Sequence, residues 1–405
     1  MRRMRARLAV TTCAVALATG CQGGALRDQS AAGVSSVRGS VVRIGFVAPL
    51  SGPFATIGED MRRGFRLYME GHEGRLGGRP VNVVEVDEGA GPETGVPALR
   101  RLVTRDRVVA AAGVVNSAVA LGAHQSFIDA RLPLVVANAG ANALTGAKGS
   151  QYIWRTSFAN SARNAPLGRW LASQPAVRGG VFLLAADFVA GREQVAGFKA
   201  AFTAGGGKIA GEQYSPFGTT QDFQPYLAQV RSSGAGAVYA FYGGQDAVNF
   251  VRQYKDFGLA GRIPLYGPGD LTEGPVLSAQ GAAAEGIVTL LNYSSELDTP
   301  VNRAFVEAYE AAYGEAPTAY AVQAYDAAAV LDAALDEIDG AVSGSALVAA
   351  LARTGEIDSP RGPWRFNRHR NPEQHYYLRE VRREGDRFVN AVREDLGPSE
   401  VEVTP

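Results

Sequence analysis

The stretch Val41–Gly71, VVRIGFVAPLSGPFATIGEDMRRGFRLYMEG, decides the fold. Its first ten residues are mostly apolar, which is typical of a strand that is buried on both faces of a sheet. The segment TIGEDMRRGFRLYMEG then carries apolar residues at helical spacing. A buried strand that leads into an amphipathic helix predicts an α/β fold with parallel sheets and right-handed crossovers.

The same alternation continues in two series. The first runs through VNVVEVDE, ETGVPALRRLVTRD, VVAAAGVV, SAVALGAHQSFIDA and LPLVVAN. The second begins near Gly179 with GGVFLLAAD and continues through GREQVAGFKAAFTAGG, AGAVYAFYGG, QDAVNFVRQYKDFG and RIPLYGPGD. We therefore predict two doubly wound parallel-sheet lobes rather than one long sheet.

The remainder of the chain does not begin a third lobe. Two long helical segments and one short helical segment precede SPRGPWRFNRHRNPEQHYYLREVRREGDRFV, which is typical of a hairpin-like strand pair. These elements complete the two lobes if the chain crosses between them more than once, and such a hinge allows closure on a ligand. We predict lobe 1 over residues 41–156 plus 292–358 and lobe 2 over residues 157–291 plus 359–396.

Residues 1–20 are separate from the fold. Four arginines precede the 13-residue apolar stretch LAVTTCAVALATG, which is too short for an ordinary membrane span and fits an export signal. The sequence LATGC resembles the lipobox of bacterial lipoproteins, although its leucine, Leu17, lies one place early. We predict lipidation of Cys21 and attachment to the outer face of the cell membrane, with plain secretion as the alternative. The Gly- and Ser-rich residues 21–40 indicate a flexible tether.

The charge balance excludes one class of partner. The chain has 40 basic and 40 acidic residues, and removal of the four signal arginines leaves 36 basic residues against 40 acidic ones. A slightly acidic chain without a basic block argues against nucleic acid as a partner. Cys21 is the only cysteine outside the signal, so the exported domain has no internal disulfide.

No motif of a common enzyme class is present. The first strand is not followed by G-x-G-x-x-G, and the chain lacks G-x-x-x-x-G-K-[ST], G-x-S-x-G and H-E-x-x-H. The four histidines are scattered and have no zinc spacing. We therefore predict a protein that is not an enzyme and that needs no metal or cofactor.

The loops that follow the predicted strands are the candidate ligand site, because ligands of parallel sheets bind beyond the carboxyl ends of the strands. These loops are rich in Gly, Ser and Asn. Ser117 is predicted as the N-cap of a helix whose amides suit a carboxylate. A cap without a ligand is the alternative for Ser117, and tight helix packing is the alternative for the Ala/Gly run after Val136.

These segments resemble the type 1 periplasmic binding proteins that serve branched-chain amino acid ABC importers. The resemblance rests on Val41–Gly71, on VVAAAGVVNSAVALGAHQSFIDARLPLVVANAGANALT, on ADFVAGREQVAGFKAAF and on RQYKDFGLAGRIPLYGPG, and it covers residues 41–392. It implies a Venus-flytrap protein with two α/β lobes, three crossovers and a ligand enclosed between the lobes. It also implies ABC permease subunits as partners.

The resemblance assigns roles at the carboxylate end of the site. A serine at the start of the helix after the third strand holds the ligand carboxylate in the family, and Ser117 occupies that position. The loop after the fourth strand supplies backbone groups and a threonine. Asn138 and Ala139 match the backbone positions, while Gly140 stands in place of the threonine.

The family's other ligand contacts are changed in this chain. The first-loop tyrosine is Ile57, the aromatic residue of D-x-x-Y-G is Ala190, and the tyrosine after YGG falls at Gln245. The acid that pairs with the ligand ammonium is Gly269, with Asp270 one place later. A buried ammonium without a counter-charge costs several kcal/mol.

The pocket therefore uses Asp270 or Asp246 for an amine, or it does not bind an amine. Its remaining wall is expected to be apolar and roomy, with four contributors: Phe54, Ile57, Phe188 and Ala190. We predict a solute-binding lipoprotein of an ABC importer of the branched-chain amino acid class, with a small carboxylate-bearing ligand. Two alternatives stay open: an aromatic or aliphatic acid without an amine as the ligand, and a sensor module that reports to a membrane receptor.

Overall fold

Parallel strands and helices alternate from the first described residues onward. A computed structural model describes residues 40–175, 177 and 179–399, so the predicted signal, Cys21 and the tether up to residue 39 lie outside it. The first part of the chain forms β1 (Val42–Ala48), α1 (Ala55–Gly71), β2 (Arg75–Leu76), β3 (Arg79–Asp87), α2 (Pro92–Thr104), β4 (Ala110–Gly113), α3 (Ser117–Asp129), β5 (Leu134–Val136), β6 (Ile153–Arg155), α4 (Asn160–Arg163) and α5 (Ala165–Ala172).

The rest of the chain continues this alternation and then departs from it. The middle part forms β7 (Val181–Asp187), α6 (Val189–Ala204), β8 (Ile209–Pro216), α7 (Gln224–Ser233), β9 (Ala237–Phe241), α8 (Gly244–Asp256), β10 (Leu265–Pro268), α9 (Pro275–Gln280) and β11 (Val288–Leu291). The last part forms α10 (Pro300–Tyr313), α11 (Ala319–Asp336), α12 (Gly344–Leu351), β12 (Arg365–Phe366), β13 (Pro372–Glu373), β14 (His375–Glu384) and β15 (Arg387–Pro398).

Two large sheets organise these elements. The first has the order β2-β3-β1-β4-β5-β6 and is parallel except for the β2–β3 pair. The second has the order β15-β14-β11-β10-β9-β7-β8, with β14 and β15 antiparallel at one edge. Each sheet with its helices is a lobe, so the predicted fold of two parallel-sheet lobes and the predicted hairpin are both confirmed.

Each sheet is covered on both faces, as its apolar strands require. In lobe 1, α1, α11 and α12 pack on one face, and α2 and α3 pack on the other. In lobe 2, α7, α8 and α9 cover one face, and α5 and α6 cover the other. The α1–α11 contact is unusually close, because a Cβ atom on Gly64 would overlap with the carbonyl oxygen of Ala321.

The chain crosses between the lobes three times, as predicted. The crossings lie in residues 156–180, 292–318 and 352–374. Trp364 lies in the core of lobe 1, where its Nε1 donates to Asp326 Oδ2 at 3.0 Å, and the neighbouring Phe366 packs edge-on against Trp154 of the same lobe. The chain therefore returns to the second sheet only at β14. The predicted start of the second part of lobe 2, at residue 359, lies before Trp364 and Phe366, which pack in lobe 1.

One buried side chain connects all three crossings. Gln374 Nε2 donates to the carbonyl oxygen of Ser157 at 2.7 Å. Its Oε1 accepts from Asn292 Nδ2 at 2.7 Å and also from Arg361 Nη1. Hydrogen bonds inside the hinge therefore fix the three crossing segments relative to one another.

Candidate ligand-binding site

A cavity that is open to solvent lies between the lobes. It is bounded by the loops that leave β1, β4, β5 and β6 of the first sheet and β7 to β10 of the second sheet, which is the usual ligand position in open parallel sheets. The lining residues are Phe54, Ile57, Val115, Ser117, Asn138, Gly140, Phe158, Asn160, Ala186, Phe188, Ala190, Gln194, Phe217, Phe241, Gly243, Asp246 and Asp270.

Most of the residues that the sequence predicts for the site are brought together here. Those that line the cavity are Phe54, Ile57, Ser117, Asn138, Gly140, Phe188, Ala190 and Asp270. Ala139 does not line it, because its side chain packs in the core between the first sheet and α2 and α3. Gln245 also lies outside the lining and donates to Asn249 Oδ1 at 2.9 Å, while the next residue, Asp246, faces the cavity.

Ser117 is not the N-cap of its helix, so that part of the prediction is wrong. The cap is Asn116, whose Oδ1 accepts from the amide of Ala118 at 2.8 Å. The extended backbone of Asn116 places its side chain over the helix end, and Ser117 becomes the first helical residue. The Ser117 hydroxyl makes no hydrogen bond to another described residue, which leaves it available at the cavity wall.

A buried carboxylate holds the turn that presents Ser117. Glu88 is fully buried, and its two oxygens accept from the amides of Val115 at 2.8 Å and Asn116 at 2.7 Å. The turn is strained, because Val114 has a φ of 70°, a region that β-branched residues rarely adopt. Glu88 therefore stabilises a backbone conformation that the sequence of the turn disfavours.

The position of Gly140 has no room for a side chain, because two neighbours occupy the adjacent space. A Cβ atom at this position would overlap with Asn160 Oδ1 and would lie 2.9 Å from the ring of Phe158. The amide of Asn160 donates to the carbonyl oxygen of Gly140 at 2.7 Å, which fixes this close approach. The space that a threonine side chain would need is therefore filled by Phe158 and Asn160.

Asp270 lines the cavity but is already paired. One of its oxygens forms an ion pair with Arg163, a buried guanidinium that stacks over Phe158 at 3.9 Å. The other oxygen accepts from the hydroxyl of Tyr320, on α11, at 3.2 Å. The preceding residue cannot replace it, because a Cβ atom on Gly269 would point at Arg379 and Leu291 instead of the cavity.

Asp246 is the second carboxylate in the cavity lining, and its environment differs. Its Oδ2 accepts from the amide of Gly218 at 2.8 Å. The structure gives it no ion pair within residues 40–399 as described, and burial raises the pKa of its carboxyl. One oxygen of Asp246 therefore has no hydrogen-bond partner among the described residues, whereas both oxygens of Asp270 have one.

Phenylalanine rings form most of the apolar wall. Phe188 stacks on Phe217 with ring centroids 4.3 Å apart, and Phe217 also contacts Phe54 of the opposite lobe at 5.5 Å. Phe241 lies 5.9 Å from Phe188 in a parallel orientation. With Phe158, these rings make most of the cavity wall apolar and aromatic, which suits an apolar or aromatic ligand body.

The sequence interpretation missed several of these residues. Phe158 and Asn160 follow β6, and Phe217 follows β8, so each occupies a strand end of the kind already used to find the site. The sequence patterns do not identify β6 and β8 as strands, so the loops that follow them are not predicted as parts of the site. Glu88 ends the segment VNVVEVDE, but nothing local indicates that its carboxylate turns inward.

Known proteins match this chain over nearly its whole described length. The sequence pattern of a family described as "Periplasmic binding protein" matches residues 41–386. The Leu/Ile/Val-binding protein homolog 6 of Brucella melitensis is 33% identical over 358 residues, which cover 87% of this chain and 90% of the relative.

Two solved structures are similar in both fold and sequence. An ABC transporter substrate-binding protein from Sphaerobacter thermophilus has a TM-score of 0.83 and 35% identity, and the match covers 89% of this chain and 99% of that one. A solute binding protein of an R. palustris ABC transporter, in complex with benzoate, has a TM-score of 0.82 and 35% identity over 90% of this chain and 98% of that one.

The burial of the Glu88 carboxylate predicts that the free energy of unfolding of this protein depends on pH. Burial raises the pKa of Glu88 to about 7 in the folded state from 4.5 in an exposed chain, so the folded state binds more protons between these values. The free energy of unfolding therefore falls as the pH rises through this window. Relative to Glu88→Gln, the wild type should lose about 3 kcal/mol between pH 4.5 and pH 8.

Urea unfolding at four pH values measures this difference directly. Asp60 is also buried with a raised pKa of about 7, so wild type and variant are compared at each pH rather than across pH. Glu93→Gln, at an exposed position on α2, is the matched control. A difference between wild type and Glu88→Gln that does not change with pH would contradict the assignment.

Proposed function

This chain belongs to the periplasmic binding protein family, and on that premise we propose that it captures a small aromatic carboxylic acid without an amine for an ABC importer. The two lobes close over the acid, and the closed form delivers it to the permease subunits in the membrane. The ligand is bound and released unchanged. The names of the related proteins, which concern binding and transport, support capture rather than catalysis.

The pairing of Asp270 is the observation that carries this proposal. An α-amino acid brings an ammonium group that needs a counter-charge close to its carboxylate. Asp270 is the acid nearest in sequence to the position where related amino-acid binders carry theirs, yet Arg163 and Tyr320 already occupy both of its oxygens. Phe158 and Asn160 fill the space of the threonine at Gly140, which removes a second polar contact.

The apolar wall supports an aromatic body for the ligand. Four phenylalanine rings from the two lobes form a row in which each ring contacts the next, and a fifth ring lies against Gly140. Stacked and edge-on ring pairs contribute about 0.5–1.5 kcal/mol beyond the burial of their area, so a planar ligand gains more here than a branched aliphatic one. The benzoate complex of the R. palustris relative is consistent with this ligand class.

The carboxylate of the acid is assigned to the N-terminus of α3. The Ser117 hydroxyl has no partner among the described residues, and Ser117 is the first residue of α3 at the cavity wall. The partial positive charge at a helix N-terminus favours a carboxylate. Asn138 lies beside this position, with its Nδ2 directed to Gln323 Oε1 at 3.4 Å.

We also propose that the protein is held at the outer face of the membrane by a lipid on Cys21. The export signal and the LATGC sequence support this location. Among the helices of the described residues, none combines the length and the apolar composition of a membrane span.

A thermal-shift screen of the full mature chain tests the ligand class. Benzoate and the hydroxybenzoates should raise the melting temperature, because a ligand at 100 times its Kd adds about 2.7 kcal/mol of stability. Leucine, isoleucine and phenylalanine should have no effect at the same concentrations. Stabilisation by leucine without stabilisation by any benzoate would overturn the proposal.

The role of Ser117 is tested by calorimetry with the acid that the screen identifies. Ser117→Ala should weaken binding about ten-fold, because a hydrogen bond to a charged group is lost. Ser126→Ala, on the same helix but away from the cavity, should leave the affinity unchanged. Equal affinity of wild type and Ser117→Ala would remove this residue from the site.

The lipid anchor is tested by fractionation of cells that express the full chain. Wild-type protein should sediment with membranes, whereas Cys21→Ser should remain in the soluble extracytoplasmic fraction. Mass spectrometry of the N-terminal peptide should show a diacylglyceryl group on Cys21. Wild-type protein that is recovered only in the soluble fraction would support plain secretion instead.

A further inference from the structure

We propose that Asp246 selects aromatic acids that carry a ring hydroxyl, by accepting a hydrogen bond from that hydroxyl with its free carboxylate oxygen. This inference rests on the proposed function and narrows the substrate class from aromatic acids to hydroxylated aromatic acids. It assigns one residue, Asp246, as the determinant of that choice.

Asp246 lies in the cavity lining and has one carboxylate oxygen without a hydrogen-bond partner among the described residues, as this role requires. Its exposed fraction is only 7%, and it lines the cavity. Oδ2 accepts from the amide of Gly218, whereas Oδ1 has no hydrogen bond to another described residue. A ligand that fills the cavity removes water from this oxygen, so a ligand that supplies a donor gains affinity and a ligand without one leaves the oxygen unpaired.

The other carboxylates at the site cannot take this role. Asp270 also lines the cavity, but its oxygens are bound by Arg163 and Tyr320. Glu88 accepts from two backbone amides behind the wall and does not reach the cavity. Among the described residues that line the cavity, Asp246 is therefore the carboxylate with one oxygen that no described residue hydrogen-bonds.

The position of Asp246 suits the far end of a ring rather than a group next to the carboxylate. Asp246 lies in the first turn of α8 in lobe 2, beside the loop that carries Phe217. Ser117 belongs to lobe 1. A ligand that contacts both must extend from one lobe to the other, as 3- or 4-hydroxybenzoate can, because the hydroxyl of these isomers is not adjacent to the carboxylate on the ring.

An ammonium group is the competing donor for this oxygen. In an α-amino acid, the ammonium is attached to the same carbon as the carboxylate, so both groups occupy one end of the ligand. An amine that reached Asp246 would have to lie at the opposite end of the molecule from the carboxylate. The test below therefore includes phenylalanine and 4-aminomethylbenzoate beside the hydroxylated acids.

The inference is tested by the ratio of the dissociation constant of benzoate to that of a hydroxybenzoate. The full mature chain is titrated with benzoate, 3-hydroxybenzoate and 4-hydroxybenzoate by calorimetry. The wild type should bind one hydroxybenzoate at least about ten-fold more tightly than benzoate, because a site with a buried polar group rejects an analogue that leaves this group unpaired.

Substitutions at Asp246 should remove this preference. Asp246→Ala should bind the hydroxybenzoate more weakly and benzoate no more weakly than the wild type, so that the ratio approaches one. Asp246→Asn retains an acceptor for the Gly218 amide, which protects the fold of the loop, and should also lower the ratio. Asp256→Asn, at an exposed position on the same helix, should leave the ratio at its wild-type value.

Three outcomes separate this inference from the proposed function. If no benzoate binds to the wild type, the proposed function itself is wrong. If benzoate and the hydroxybenzoates bind equally, or if Asp246→Ala keeps the wild-type ratio, the inference alone is wrong. If phenylalanine or 4-aminomethylbenzoate binds and loses affinity in Asp246→Ala, Asp246 is an ammonium partner and the inference is overturned.

Discussion

The hydrogen bonds of Gln374 are the constraint on which the two-lobe arrangement depends. This side chain binds Ser157, Asn292 and Arg361, which belong to the three segments that cross between the lobes. Asn292 continues the network to Gln323, and Gln323 in turn meets Asn138 at the cavity wall. Buried polar networks of this kind are geometrically demanding, because each unpaired member is costly. The hinge and the wall of the cavity are therefore parts of one hydrogen-bonded structure.

Around this framework, three carboxylates near the cavity have three different environments. Glu88 is enclosed by backbone amides and stabilises a strained turn. Asp270 is neutralised by Arg163 and bridges to α11 of the opposite lobe through Tyr320. Asp246 is bound at one oxygen only. The chemical identity of the three groups is nearly the same, so their partners decide that one supports the backbone, one joins the lobes and one remains available to a ligand.

The strand and helix pattern made most of the fold and much of the site predictable. Long buried runs such as Val41–Leu50 and the helices between them indicate parallel sheets, and parallel sheets place their ligand at the strand ends. That rule selects the loops of Phe54, Ser117, Asn138 and Phe188, which line the cavity, while their contact with a ligand stays a prediction. The three-residue strand β6 and the eight-residue strand β8 escaped detection, and with them Phe158, Asn160 and Phe217. β6 is too short to show a period, and β8 does not alternate apolar and polar residues.

The sequence alone determined the fold class and the position of the cavity, because these follow from local patterns and residue types, and its resemblance to a family implied the loss of a threonine at Gly140. Tertiary structure alone decided which neighbour each polar side chain meets. It brought Arg163 to Asp270 across 107 positions of the chain, and it placed Asn116 instead of Ser117 over the end of α3. Charge pairing and burial depend on groups that are distant in sequence, and no local pattern contains that information.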